Sequence, residues 1–322
     1  MQIKEIINPG EKAKYSKIAN EIGNIFNSLE WLIIFGDRIK LFGIYEDDGK
    51  LVGGFCLYEE KRIGLKIYRN PPFTPYVGPF FKLEAQNPVS IMNKWKEVLT
   101  LMARAINALP HSILSISLNK NVIDAQPFIW AKFKVIPGYT YILDLKKSIE
   151  DIFKEMSVER RNDVSKAIRD GLIVRQVDDF KIVKSLILKT LSRQEVTVNK
   201  YYLDKILFEF IKKDNSFALV TFDKERPIAT TFCIYDKKMA YYLLGGYDYE
   251  GKHHGAGALS MWGAIKHARS LGLKHFDFEG SMVPQIERYF RGFGGKLIPY
   301  YRINKAKLLL EIILKFFKRE LF

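Results

Sequence analysis

Two short stretches of this 322-residue chain hold residue types suited to group-transfer chemistry. The first is Lys252-His253-His254-Gly255-Ala256-Gly257, between an apolar strand-like run and a helix-like run. Small residues at a helix start leave backbone N–H groups unpaired and aim the positive end of the helix dipole outward. Such a loop is a ready site for pyrophosphate or carboxylate; it also reads as a plain helix-entry turn. The second stretch is the strand 274–278 followed by Glu279-Gly280-Ser281. Alternation puts Phe276 and Phe278 on one face and Asp277 and Glu279 on the other. A carboxylate at a strand end, Glu279, can accept a proton from an attacking ammonium, directly or through water. The alternative is that Asp277 and Glu279 cap amides of the next helix. His254 is a second base candidate, since histidine titrates near neutral pH, against the reading of a solvated turn residue. Arg160-Arg161 carry guanidinium forks that suit phosphate oxygens, and a solvated helix face explains them equally well.

The composition sets the partners. Lys plus Arg number 51 and Asp plus Glu 36, so the net charge is +15. That excess points to polyanions: nucleic acid, phosphorylated ligands or an anionic membrane face. With 48% hydrophobic and 27% charged residues, the chain reads as globular, neither disordered nor membrane-spanning. Cys56 and Cys233 sit in apolar runs without metal-ligand spacing or disulfide framework, and read as core residues of a reducing interior. The first twenty residues lack the apolar core of a signal peptide, so the expected location is cytoplasmic.

The elements that must position these residues come in two similar sets. A helical stretch runs to residue 29. Strands follow at 40–45 and 51–59 about an Asp48-Gly49 turn, the chemistry of a hairpin. A Pro-rich shaped loop covers 70–79. A helix covers 87–109 with Trp95, Val98, Leu99, Met102 and Ile106 on one face. Strands are expected at 113–118 and 139–145. The second set starts near Ser148, with one helix over 149–171 ended by Gly171. A strand at 172–177, helices at 180–195 and 200–213, and a meander at 217–221, 228–235 and 238–244 come next. The glycine turn then opens a helix at 258–270, followed by the strand 273–278, a helix at 284–290, a strand at 296–301 and a terminal helix at 303–322. The order of elements is a weak internal repeat.

The strand–glycine turn–helix unit resembles the acyl-CoA site of the GNAT acyltransferases, whose loop reads Gln/Arg-x-x-Gly-x-Gly/Ala. Lys252-x-x-Gly255-x-Gly257 matches both small positions and puts Lys first. The runs LLGGYDYEG, WGAIKHARSLGLKHFDFEGS and IERYFRGFGG, together with RNDVSKAIRDG at 161–171 and the Pro-rich loop at 72–79, are similar to the FemAB-like proteins. That resemblance implies an α/β fold of two tandem GNAT-like domains with mixed, mostly antiparallel sheets, divided as 1–147 and 148–322. It implies a donor loop of Lys252, His254, Gly255, Ala256 and Gly257. Phe290-Arg291 matches a Phe-Lys pair whose lysine is assigned oxyanion stabilisation, so Arg291 joins Glu279 and His254 as a catalytic candidate, against the reading of a solvated Arg on a loop. Arg keeps the charge but presents a planar fork, so lysine's geometry does not carry over automatically. Tyr76, Arg160, Arg161, Asp277 and Phe290 are the candidate substrate contacts, Tyr76 against the alternative of packing on its prolines.

The resemblance implies an N-acyltransferase that joins an activated carbonyl, from acyl-CoA, to an amine acceptor, with no permanently bound cofactor. A second reading is aminoacyl transfer from aminoacyl-tRNA to a peptidoglycan precursor, although the charged helical arm of some tRNA-using members is missing. A third is a non-catalytic, membrane-associated binding protein. No DNA partner is expected. The tail bears on location: Leu308, Leu309, Ile312, Ile313, Phe316 and Phe317 form a broad helical stripe beside Lys305, Lys307, Lys315, Lys318 and Arg319. It suits either the face of an anionic membrane or packing on the protein itself.

Overall fold

The computed structural model describes all residues except 85–86, 252, 281 and 318–322. Chain contacts divide it into two compact units, Met1–Gly138 together with the segment from Pro299, and Tyr139–Ile298. In the first, β1 (Gln2–Glu5) leads to α1 (Pro9–Ile22), which starts where Asn8 accepts the Gly10 N–H. After α2 (Leu29–Ile33), β2 (Ile39–Tyr45) and β3 (Leu51–Arg62) form the expected hairpin. β4 (Leu65–Arg69) and the two-residue β5 (Phe80–Phe81) both pair with β3. α3 (Pro88–Ala108) buries Val98, Leu99, Met102 and Ile106, the face its periodicity marks. β6 (Ile113–Ser117) runs parallel to β4, and the short α4 (Gln126–Trp130) leads into β7 (Lys134–Asp144).

In the second unit the helix expected over 149–171 is two helices, α5 (Ile149–Glu155) and α6 (Val158–Arg169). Met156 and Ser157 are extended, and the Ser157 hydroxyl accepts the Arg160 N–H as a fresh N-cap. β8 (Ile173–Gln176), α7 (Phe180–Arg193) and α8 (Lys200–Asp204) follow, the last passing into a π-helical turn at Lys205–Phe210. The meander is β9 (Ser216–Asp223), β10 (Arg226–Tyr235) and β11 (Met239–Tyr247). Then come α9 (Ala256–Ser270), β12 (His275–Asp277), α10 (Pro284–Arg291), β13 (Lys296–Ala306) and α11 (Leu308–Phe317). The terminal helix thus starts later than residue 303, because Ile303 and Asn304 are buried in β13 opposite Ile116 and Ser115.

Apart from α5, α6 and α11, each set reads β-α-α-β-β-β-α-β-α-β, with β5 as an insertion. The sheet of the first unit runs β1-β2-β3-β4-β6-β13, parallel only at β4–β6; that of the second runs β7-β12-β11-β10-β9-β8, parallel only at β11–β12. Both are mixed and mostly antiparallel. The last strand of each set is exchanged: Ile142–Asp144 of β7 pair with β12, while Arg302–Ala306 of β13 pair with β6. The units therefore part differently from the expected 147/148 division, and the segment from Pro299 belongs with the first.

Asp248, just past β11, ties α7 to the meander. Its side chain is 4% exposed and receives Arg226 Nη2 at 2.8 Å and Lys189 Nζ at 3.1 Å. Arg226 foremost, with Lys189, holds its carboxyl below the usual range. A depressed folded-state pKa stabilises above the unfolded value near 3.8 and is lost as pH falls through the folded one. Asp248→Asn should therefore cost about 1.5–3 kcal/mol at pH 7. Thermal melts of both proteins at descending pH should begin to converge near the unfolded value of 3.8 and meet only below the depressed folded-state value.

Candidate active site

β11 and β12 lie parallel over three pairs only, Met239↔His275, Ala240↔Phe276 and Tyr241↔Asp277. β12 then stops, while β11 runs on to Tyr247 against β10. The turn away is built into the chain. Asp277, fully buried, accepts the Thr140 hydroxyl at 2.6 Å and the Glu279 N–H at 2.9 Å on one oxygen. Glu279 and Gly280 then take φ values of 55° and 71°. A Cβ on Gly280 would stand 2.0 Å from the Tyr139 carbonyl oxygen, so this close approach requires glycine. β11 carries a bulge: Phe232 faces Leu244 and Cys233 faces Tyr242, leaving Leu243 as the extra residue. Beyond Tyr241, alternate backbone groups of β11 face the gap where β12 has left.

The gap opens into a groove of about 700 Å³ within the second unit. Its walls are β11, the end of α7 at Thr190, the first turn of α9, the Glu279-Gly280 turn, and Ile286, Tyr289 and Phe290 of α10. The Thr190 hydroxyl accepts the Tyr247 N–H at 2.7 Å and so pins α7 to the end of β11. Gly255 is the N-cap of α9 and has no side chain to receive the first-turn amides. The N–H groups of Gly257 and Ala258, both groove residues, therefore have no intrahelical acceptor.

The structure sorts the sequence candidates. Glu279, His254, Gly257 and Phe290 all line the groove. The His254 side chain is 76% exposed, with Nε2 3.2 Å from Asp163 Oδ1. Phe290 is buried against Tyr242 and Phe278 and forms wall. The two loop glycines differ. A Cβ on Gly255 would meet the Asp163 carbonyl oxygen at 2.1 Å, so this residue lets α6 cross the start of α9. A Cβ on Gly257 would meet only the Tyr289 hydroxyl, at 3.6 Å. Ala256 is fully buried, and Lys252 lies outside the described residues.

Other candidates turn out to serve packing. Arg160 is buried, bound to Glu159 and Asp163 with its guanidinium 4.8 Å from the Tyr289 ring centre, and is no open phosphate ligand. Arg161 donates to the carbonyls of Lys154 and Met156 at the end of α5. Asp277 shapes the turn. Tyr76, in the first unit, is buried edge-on to Tyr300 beneath the Lys120 ammonium. Arg291 is 61% exposed on Glu287 and is not among the groove residues, so the groove does not receive the charge expected there. Cys56 and Cys233 are buried, and burial pushes the Cys56 thiol up to about 12.

Two residues went unnoticed in the sequence, Tyr242 and Tyr289. Burial, foremost, raises both phenols above their ordinary range; Arg160 opposes the rise at Tyr289, and Tyr289 adds to that at Tyr242. The spacing of Ile286, Tyr289 and Phe290 at i, i+3 and i+4 was the available signal.

Residues 201–291, from α8 through α10, match the family model described as an acetyltransferase (GNAT) domain. The second unit carries a GNAT acyltransferase domain. The matched span contains β11, β12 and most of the groove lining, with Thr190, Leu191 and Gln194 lying before it. FemX shares the fold, with a TM-score of 0.67 at 13% identity over 98% of this chain and 99% of that one. So does the C-terminal domain (DUF2156) of a putative lysylphosphatidylglycerol synthetase from Agrobacterium fabrum, at 0.56 and 14% over 94% and 97%. L-PGS from Bacillus licheniformis gives 0.56 and 14% over 98% and 97%. No curated protein matches the sequence. The FemAB-like resemblance read from the sequence thus has its counterpart in fold.

The glycine geometry makes a paired expectation. Gly255→Ala should lower stability by about 1–3 kcal/mol through overpacking against α6. Gly257→Val should leave stability within about 1 kcal/mol but abolish binding of an anionic donor by filling its place. Thermal melts and calorimetric titration with coenzyme A read the two effects separately.

Proposed function

We propose that the GNAT domain transfers an acyl group from acyl-CoA to an amine in this groove. One observation carries the reading: the open first turn of α9, the free edge of β11 and the Glu279 carboxylate converge on a single cavity. GNAT acyltransferases use acyl-CoA as co-substrate, and its pyrophosphate suits the amides of Gly257 and Ala258 at the positive end of α9. Backbone N–H groups on the free edge of β11 are oriented in advance for an oxyanion. That edge takes over the role the resemblance gives to Arg291.

The chemistry balances on these groups. The amine nitrogen bonds to the thioester carbonyl carbon and gives up a proton to Glu279, directly or through one water. The carbon–sulfur bond then breaks, and the thiolate takes up the proton that Glu279 has just gained, directly or through water, which returns the carboxylate to its starting state. His254, at the rim, is a second acceptor.

The full-length likeness to FemX favours a second reading, aminoacyl transfer from tRNA to a peptidoglycan precursor. Thermal shifts with acetyl-CoA and coenzyme A, beside charged and uncharged tRNA, separate the two. A rise with the CoA species alone supports the first, and a rise with charged tRNA alone replaces it with the second. For the chemistry, Glu279→Gln should lower kcat by about 10²–10⁴ with donor affinity retained, while Arg291→Ala should stay within a few-fold of wild type. Release of free thiol in the presence of an amine is the assay. Wild-type turnover in Glu279→Gln would remove Glu279 from the mechanism.

A further inference from the structure

The last helix of the first unit turns its apolar side outward. None of the described residues of α11 is buried. Leu310, Glu311 and Leu314 are half-buried and mark the side nearest the protein. The opposite side carries Leu308 at 78%, Leu309 at 72%, Phe316 at 83% and Phe317 at 82% exposure, with Ile312 and Ile313 also exposed. At 100° per residue these six span one broad stripe. An apolar stripe facing water is unfavourable unless something covers it, and among the described residues nothing does.

A second apolar projection stands at the same end of the same sheet. Ala306 of β13 faces Ile113 of β6, and Lys307 N–H donates to the Ser112 carbonyl at 3.0 Å. Ser112 N–H in turn donates to the Lys66 carbonyl at 2.7 Å, which fixes the start of β4 beside the start of α11. There the β3–β4 turn thrusts Ile63 into solvent at 102% exposure. Exposed Lys61 and Arg62 precede it, and Lys307 and Lys315 flank the stripe on α11. By sequence, the segment 305–322 holds five basic residues, Lys305, Lys307, Lys315, Lys318 and Arg319, against Glu311 and Glu320. Apolar points inside a cationic border match an anionic lipid surface: the side chains enter the acyl boundary and the ammonium groups remain among the headgroups. No helix among the described residues is long and apolar enough to span a bilayer, so contact is at the interface.

We infer that α11 and the Ile63 turn dock the protein on an anionic bilayer surface. Sedimentation of the full chain with phosphatidylcholine vesicles, with and without phosphatidylglycerol, tests this. Binding should require phosphatidylglycerol and weaken as salt screens the lysines. Ile312→Glu with Phe316→Glu should reduce partitioning about tenfold or more, and Ile63→Glu should reduce it less. The melting temperature should not change, because these side chains are exposed. Absence of binding, equal binding to neutral vesicles, or undiminished binding of the double variant would overturn the inference. So would a dimer in sedimentation equilibrium that the double variant dissociates while vesicles stay unbound, since a second copy would then cover the stripe.

Discussion

The buried carboxylate of Asp277 is the constraint on which the site depends. Placed at the end of a three-residue strand, it fastens the Glu279 N–H and the Thr140 hydroxyl at once. It thereby turns the chain before a fourth pair with β11 can form. From that turn follow the free edge of β11, the cavity beside it and the position of Glu279 on its wall. A short polar side chain with no access to solvent can thus shape a site without touching what binds there. Burying the carboxylate is tolerable because hydrogen-bond donors meet it.

Much of this was legible in the sequence where the signal was local. The β2–β3 hairpin follows from its Asp-Gly turn, and the buried face of α3 from its periodicity. The glycine turn before α9 and the acid after β12 do face one groove. What the sequence concealed was set by partners distant along the chain. Arg160 read equally as a phosphate ligand or a solvated residue, yet Asp163 one turn on and the Tyr289 ring draw it inside. Gly255 and Gly257 looked equivalent, and only the crossing of α6 separates a packing glycine from a groove glycine. Strand exchange was hidden for a related reason. Alternation identifies β7 and β13 as strands, but nothing in their residues names the neighbour each will pair with.

The repeat also explains why one unit holds the groove. In the first unit β4 and β6 form the counterpart parallel pair, from Ile67↔Ile113 to Arg69↔Ser115, and there it is β4, the counterpart of β11, that ends. Here the gap is filled. Asn70 donates to the carbonyls of Thr74 and Pro75 and accepts the Ser117 N–H, folding the Pro-rich loop back onto β6. Val77 then donates to the Ser117 carbonyl and bridges to Leu118, so the chain that follows β4 closes back onto β6. The helix that follows is closed as well. α3 has Pro88 in its first turn, and its Asn87 cap accepts the Ser90 N–H, whereas α9 begins on a glycine that accepts nothing through its side chain. Prolines and an asparagine cap on one side, glycines and an uncapped helix on the other, make the end of one parallel pair a filled joint and the end of the other an open site.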